Sequence, residues 1–179
     1  MEKELDKSTT TNRTRKQTTV AKSVEDIKPS DRVSIDNLCD WDIYFSGIEN
    51  NKDIVISGGV KNYRNLTVAE VDAQVKVGNF VFCGTDGFGS HASIRINDPL
   101  IREYVFQEQV DPIQLTEENV KKVLDIDDKN EFKKALSELV VLKHEKRMIN
   151  RIVERIGRDD MPSYKIVAIE KLSGIKFED

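Results

Sequence analysis

The sequence predicts an α+β protein: a small β-rich, barrel-like or sheet domain with one packed helix, then a small helical domain, behind an extended N-terminal arm. Three observations carry this. Residues 8–19, STTTNRTRKQTT, hold no acidic and no apolar side chain. From Arg32 the apolar residues recur with period two, the spacing of a half-buried strand. From Thr116 onward they recur at three- and four-residue spacing, the period of amphipathic helices. The boundaries are an arm over 1–30, a β-rich domain over 31–106, a linker over 107–115 and a helical domain over 116–179.

Composition narrows the function classes. With 38% hydrophobic and 34% charged residues the chain is polar for a globular protein but outside the disordered range. Its 179 residues supply one ordinary core or two small ones. A net charge of -4 argues against a protein devoted wholly to nucleic acid, which carries a basic surplus. Two cysteines, Cys39 and Cys83, are too few for a disulfide framework and read as buried thiols in a reducing compartment. The first 19 residues have only Met1 and Leu5 as large apolar groups, so no signal peptide is expected. No apolar run reaches the roughly 18 residues of a membrane span. The expectation is a soluble protein with no membrane partner.

The arm carries Arg13, Arg15 and Lys16. It buries too little to offset the entropy of ordering, so a partner protein is expected to hold it, with a plain solvated tail as the bland reading. Three cations give phosphate only weak, salt-sensitive binding. In the β-rich domain, Arg32–Asp36 alternates Val33 and Ile35 against polar neighbours. Trp41–Ile48 puts Trp41, Ile43 and Phe45 on one face and Tyr44 on the other, and Lys52–Ile56 follows an Asn50-Asn51 turn. Thr67 and Glu70 fit a capping box for a helix bearing Val68, Val71 and Val75 on one side. Phe80–Cys83 reads as a strand, Gly84–Ser90 as a tight turn and His91–Ile96 as the return strand. Asp98 and Pro99 open a short helix over Leu100–Phe106, with an edge strand as the other reading. In the helical domain Thr116 caps one helix and Asp128 a second, with Phe132, Ala135, Leu136, Leu139, Val140 and Leu142 on its apolar side. A third runs over Met148–Ile156 to Gly157, and a fourth lies between Pro162 and Gly174.

The GTDGFGSHA turn is the one place where a histidine, a carboxylate, a hydroxyl and several glycines crowd together. Nucleophilic catalysis needs Ser90 and His91 to share a hydrogen bond, and adjacent side chains of a strand point to opposite faces. A catalytic metal wants three protein ligands, whereas His91 and Asp86 supply two. A phosphate cradle needs a helix after the glycines, and SIRI is a strand pattern. The expectation is a scaffold turn with no catalytic residue, no cofactor and no metal. Phe88 at its tip is an anchor for a partner pocket. The aromatics Trp41, Tyr44, Phe45, Phe80 and Phe82 read as core: residues 31–106 hold seven cations against eleven carboxylates, an unfavourable platform for bases. The stretch 143–158 is the basic element, with Arg147, Arg151, Arg155 and Arg158 on one helical face. It reads either as a solvated, ion-paired face or as a docking surface for an acidic partner or nucleic acid.

CDWDIYF (Cys39–Phe45), LTVAEVDAQVKVGN (Leu66–Asn79), GTDGFGSHASIRI (Gly84–Ile96) and KRMINRIVERIG (Lys146–Gly157) together resemble small structural proteins of the head or neck of tailed bacteriophages. The resemblance implies a non-enzymatic virion subunit, made in the host cytoplasm, that binds capsid, portal or collar proteins as a homo- or hetero-oligomer. Its partner-binding residues are Arg13, Arg15, Lys16, Phe88, Arg147, Arg151 and Arg155. The alternative is a nucleic-acid-binding or regulatory adaptor using helix 143–158. A hydrolase built on Asp86 and His91 is the third reading.

Overall fold

A computed structural model describes residues 23–49, 51–59 and 63–177. The expected arm residues Arg13, Arg15 and Lys16 lie outside the described residues. The described chain is mixed α+β, with two small antiparallel sheets and seven α-helices.

Strand β1 (Arg32–Asn37) alternates exposed and buried positions, with Val33, Ile35 and Asn37 turned inward. It is the central strand of a sheet in the order β4–β1–β5. Strand β4 (Tyr63–Thr67) pairs Leu66 with Val33, and β5 (Ile94–Ile96) pairs Ile96 with Ile35. A separate hairpin pairs β2 (Ile43–Ser46) with β3 (Asp53–Ile56), Ile43 opposite Ile56. The two sheets do not close into a barrel. Instead the buried Asn37 side chain bridges them: its Nδ2 donates to Trp41 O (2.7 Å) and Ile56 O (3.0 Å), while its Oδ1 accepts from Cys39 N (2.7 Å).

Helix α1 (Val68–Lys76) follows β4 directly. The expected capping box is only half formed. Thr67 Oγ1 accepts from Glu70 N (3.2 Å), but the buried Glu70 carboxylate accepts from the Ile48 and Glu49 amides at 2.9 and 3.0 Å. Gln74 Nε2 joins this network, donating to Glu70 Oε1 and Ser46 O, both at 2.8 Å. Burial works to raise the Glu70 carboxyl, yet hydrogen bonds from Gln74, Glu49 and Ile48 hold it below its ordinary value. A carboxylate placed to finish its own helix thus fastens the β2–β3 hairpin onto it.

Several expectations need correction. Phe80–Cys83 is not a strand but a single helical turn, α2, capped by Asn79 and closed by Gly84 at φ 61°. A four-residue apolar run satisfies either period, and the Asn79 cap decides it. His91 has φ 59°, so the return strand shrinks to β5, which pairs with β1 and not with residues 80–83. The strand that completes the sheet is β4, whose sequence YRNLT buries only Leu66 and so shows little alternation. Trp41 also leaves the expected face of β2: it precedes the strand and is exposed, as are Tyr44 and Phe80. Phe45 and Phe82 do pack inside, edge to face at 5.2 Å.

Beyond α3 (Pro99–Phe106), started by Asp98, helices occupy the expected stretches. The second of the helical domain stops at Leu139, however, so Val140 and Leu142 lie beyond it, and the third starts at Lys143 rather than Met148. Thr116 caps α4 (Glu117–Leu124), and Asp128 caps α5 (Lys129–Leu139) by accepting from Asn130 and Glu131 amides. Helix α6 (Lys143–Ile156) ends at Gly157, and α7 (Ser163–Ser173) ends at Gly174 in the left-handed conformation. The connector is bound rather than free: Gln114 is buried and its Nε2 donates to Gly89 O and Ile94 O, each at 3.1 Å. Apolar side chains of both halves form one contiguous cluster, from Ile35 through Phe82 and Leu115 to Phe132, Ile149 and Ile169. No helix among the described residues is long and apolar enough to cross a membrane.

Phe132 is fully buried and meets Tyr164 edge to face at 5.9 Å. Phe132→Ala is expected to cost about 3–5 kcal/mol, read as a lowered urea midpoint at unchanged slope. A cost below about 1 kcal/mol would contradict the α5–α7 packing.

Candidate functional site

The glycine-rich turn is built from its backbone outward. Gly84 must be glycine: at φ 61°, a Cβ there would sit against the Ser90 carbonyl oxygen. Thr85 N donates to Ser90 O (2.8 Å) and Gly89 N to Cys83 O (2.8 Å), closing the loop on itself. Asp86 sits inside it, with Oδ1 accepting from Phe88 N (2.8 Å) and Ser90 N (3.1 Å). Burial would raise the Asp86 carboxyl, but the Ser90 hydroxyl and these amides hold it lower than usual. Asp86 is therefore an exposed anionic brace, with Oδ1 committed to the amides of the turn.

This brace presents Phe88. The ring leans on Phe106 at 6.2 Å and 59° and remains 39% exposed, the half-open setting of an anchor that needs a partner to cover it. A hollow of about 210 Å³ beside it is lined by Glu108, Val110, Asp111 and Pro112.

His91 turns away from this surface. Its N–H donates to Ile113 O (2.7 Å), and its Nδ1 lies 2.8 Å from Glu145 Oε1. Both side chains are buried. Glu145 Oε2 accepts from the Val141 and Leu142 amides at 2.8 and 2.7 Å, groups left without partners at the start of α6. The pair clasps the glycine turn to the helical half. Asp86 and His91 thus serve different contacts, and Asp86, Ser90 and His91 do not assemble as nucleophile, base and orienter. Separation of Ser90 from His91 by strand alternation was the wrong reason, because His91 lies in a left-handed turn. Glu145 was missed as its partner. A carboxylate at the third helical position signals capping in sequence, but nothing there signals contact with a histidine 54 residues away.

Two further titratable groups flank the clasp. Burial pushes the Cys39 thiol up to about 11, with Asp40 and Glu145 adding to the rise against a hydrogen bond with Ser93. Such a thiol is protonated and unreactive at neutral pH. Burial lowers His144, against the pull of Glu145 and with a further push from His91. Its ring meets Trp41 edge to face at 6.4 Å. Among the described residues no group of three His, Cys, Asp or Glu side chains is placed to hold a metal ion. A cleft of about 420 Å³ is lined by Arg95, Arg102 and Lys122 against Asp111, Glu118 and Glu138, so its charges balance.

On the basic helix the expected binding arginines divide. Arg151 bonds Asp40 at 2.5 Å and Arg155 bonds Glu117 at 2.9 Å, while Arg158 stacks on Phe177 at 5.3 Å. Arg147 is exposed and has no side-chain partner among the described residues. No protein-family model, curated protein or solved structure matches the chain.

Removing one side of a buried hydrogen-bonded pair strands the other, at a cost of about 1–3 kcal/mol. Glu145→Leu is expected to show that loss in urea unfolding, and His91→Leu/Glu145→Leu to lose less than the two single changes added. Strict additivity would mean that no clasp exists. The Cys39 shift adds a pH signature. Its thiol titrates near 9.0 unfolded and near 11 folded, so the unfolded chain releases the proton first as pH rises. The associated stability is complete below pH 9.0 and falls by about 2–3 kcal/mol on the way to pH 11. Cys39→Ala should flatten that part of the stability–pH curve; an unchanged slope would refute the assignment.

Proposed function

We propose that this chain is a non-enzymatic structural subunit that docks onto other proteins of a phage virion, such as capsid, portal or collar proteins. The observation that carries the reading is the braced turn. Backbone hydrogen bonds and the Asp86 carboxylate lock a loop whose one large apolar side chain, Phe88, remains partly in water. A preorganised loop loses little conformational entropy when a partner covers that ring, the requirement for a docking anchor. The surroundings agree: Asp86 is occupied as a brace, His91 is buried against Glu145, and the Cys39 thiol is held protonated. The nucleic-acid alternative is the weaker one, since Arg151 and Arg155 are occupied by Asp40 and Glu117 within the chain.

In this reading the chain is present in purified particles from lysed, producing cells, detected by mass spectrometry. Phe88→Ala is expected to keep the fold by circular dichroism and the melting transition within a few degrees, while incorporation into particles drops at least about tenfold. A chain abundant in the lysate but missing from particles would overturn the proposal. So would undiminished incorporation of the Phe88 variant, as far as this anchor is concerned.

A further inference from the structure

The first turns of helix α6 carry extra cations at the end where the backbone dipole disfavours them, although Glu145 in the first turn and Arg155 in the last stand where the dipole suits them. A helix N-terminus is the positive end of the backbone dipole and favours carboxylates, and the C-terminus favours cations. Here Lys143, Lys146 and Arg147 occupy the first turns, and none has a side-chain partner among the described residues. The one acidic residue of that turn, Glu145, is buried on His91. Nearby carboxylates are also occupied: Asp40 bonds Arg151, and Asp42 accepts from Gly58 N and Tyr44 Oη. Trp41 is 45% exposed and lies against His144, and Asp40 reaches Arg151. Arg147 falls on the same helical face between those two contacts, three residues from one and four from the other. The N-terminal end of α6 is therefore a cationic surface with an open indole.

The other end has the opposite character. A cleft of about 590 Å³ is lined by Asp125, Asp127, Asp159 and Asp160 together with Ile156, Met161 and Pro162. All four aspartates are exposed, and their carboxylates make no hydrogen bond or ion pair among the described residues. Lys165 also lines the cleft but commits its ammonium to a backbone carbonyl, and the two neighbouring arginines meet other groups. Lys165 Nζ is buried and donates to Leu124 O, Arg155 bonds Glu117, and Arg158 lies over Phe177. The two ends are separated by the length of α6, about 20 Å at 1.5 Å per residue.

We propose that copies of this chain associate head to tail, the Trp41–Lys143–Lys146–Arg147 surface of one copy seating in the aspartate cleft of the next. The occupant is a second copy because each end supplies what the other lacks: cations with an aromatic against carboxylates with an apolar floor. Stacking also sets the positive end of one α6 toward the negative end of another, so charges unfavourable within one copy become favourable between copies. Such a contact is heterologous and repeats, giving a ring or an open filament according to the rotation between copies. It rests on the reading of the chain as an assembly subunit and uses surfaces apart from Phe88.

The test is a charge swap on the full chain. Self-association is followed by sedimentation and by emission of the single tryptophan, Trp41, which lies in the proposed contact. Association is expected at low salt and to weaken as the screening length falls from about 10 Å at 0.1 M to about 3 Å at 1 M. K143E/K146E/R147E alone, and D125K/D159K/D160K alone, should each weaken association more than about tenfold, since like charges then face one another. Mixed in equal amounts, the two folded variants should reassociate, because every contact between unlike copies is again complementary. A chain monomeric at low salt, association indifferent to either variant, or a mixture that stays dissociated would each overturn the proposal. Phe88→Ala is expected to associate normally here. A chain that enters particles through Phe88 yet never self-associates would refute only the head-to-tail contact. One that self-associates but is missing from particles would refute only the virion reading.

Discussion

Glu145 is the point on which the two halves of this protein meet. One oxygen faces His91, at the exit of the glycine turn, and the other gathers two amides at the start of α6. A buried carboxylate is tolerable only when its lone pairs are met, and here three donors from two parts of the chain meet them. His91 itself has a left-handed backbone, with its amide donating to Ile113 O. Beside it Gln114 donates to Gly89 O in the turn and to Ile94 O, and one apolar cluster runs from β1 to α7.

The polar residues of this fold repeatedly do two local tasks with one side chain. Glu70 sits where a capping box needs it and bonds instead to the β2–β3 hairpin. Asn37 ends a strand and ties two sheets that share no ladder. Asp86, which in sequence stands where the orienter of a catalytic set could be written, braces its own turn. In each case a polar group meets nearby backbone groups, Glu70 and Asp86 by accepting from amides and Asn37 Nδ2 by donating to carbonyls, because leaving a buried backbone group unpaired costs more than a single hydrogen bond gains. The result is a molecule whose reactive-looking groups are consumed by structure, while an aromatic at a rigid tip and the charges at two ends of one helix remain outward. That distribution is the physical basis for reading it as a component that binds proteins.

Helix starts and stops from Asp98 onward were legible in the sequence because capping is local chemistry. Asp98, Thr116 and Asp128 each meet amides two or three residues ahead, and Gly157 and Gly174 end helices through their own backbone freedom. β1 was legible for a similar reason, since Val33 and Ile35 mark one face with period two. The short elements were not. Four apolar residues at Phe80–Cys83 fit a strand as well as a helical turn, and the weak alternation of Tyr63–Thr67 concealed a strand whose evidence is its partner β1.

The sequence by itself determined the α+β class, the helical second half, the need for glycine in the turn and the placing of Phe88 at its tip. All of these follow from dihedral preferences and periodicities that act over a few residues. Only the tertiary structure decided that the sheets stay open, that His91 faces Glu145 and not Asp86, and that Arg151 and Arg155 are tied to Asp40 and Glu117 while Arg147 has no such tie among the described residues. Those outcomes depend on groups from 38 to 111 residues apart in the chain, brought together by the burial of a shared core. No local rule encodes which distant carboxylate a cation or an imidazole will meet.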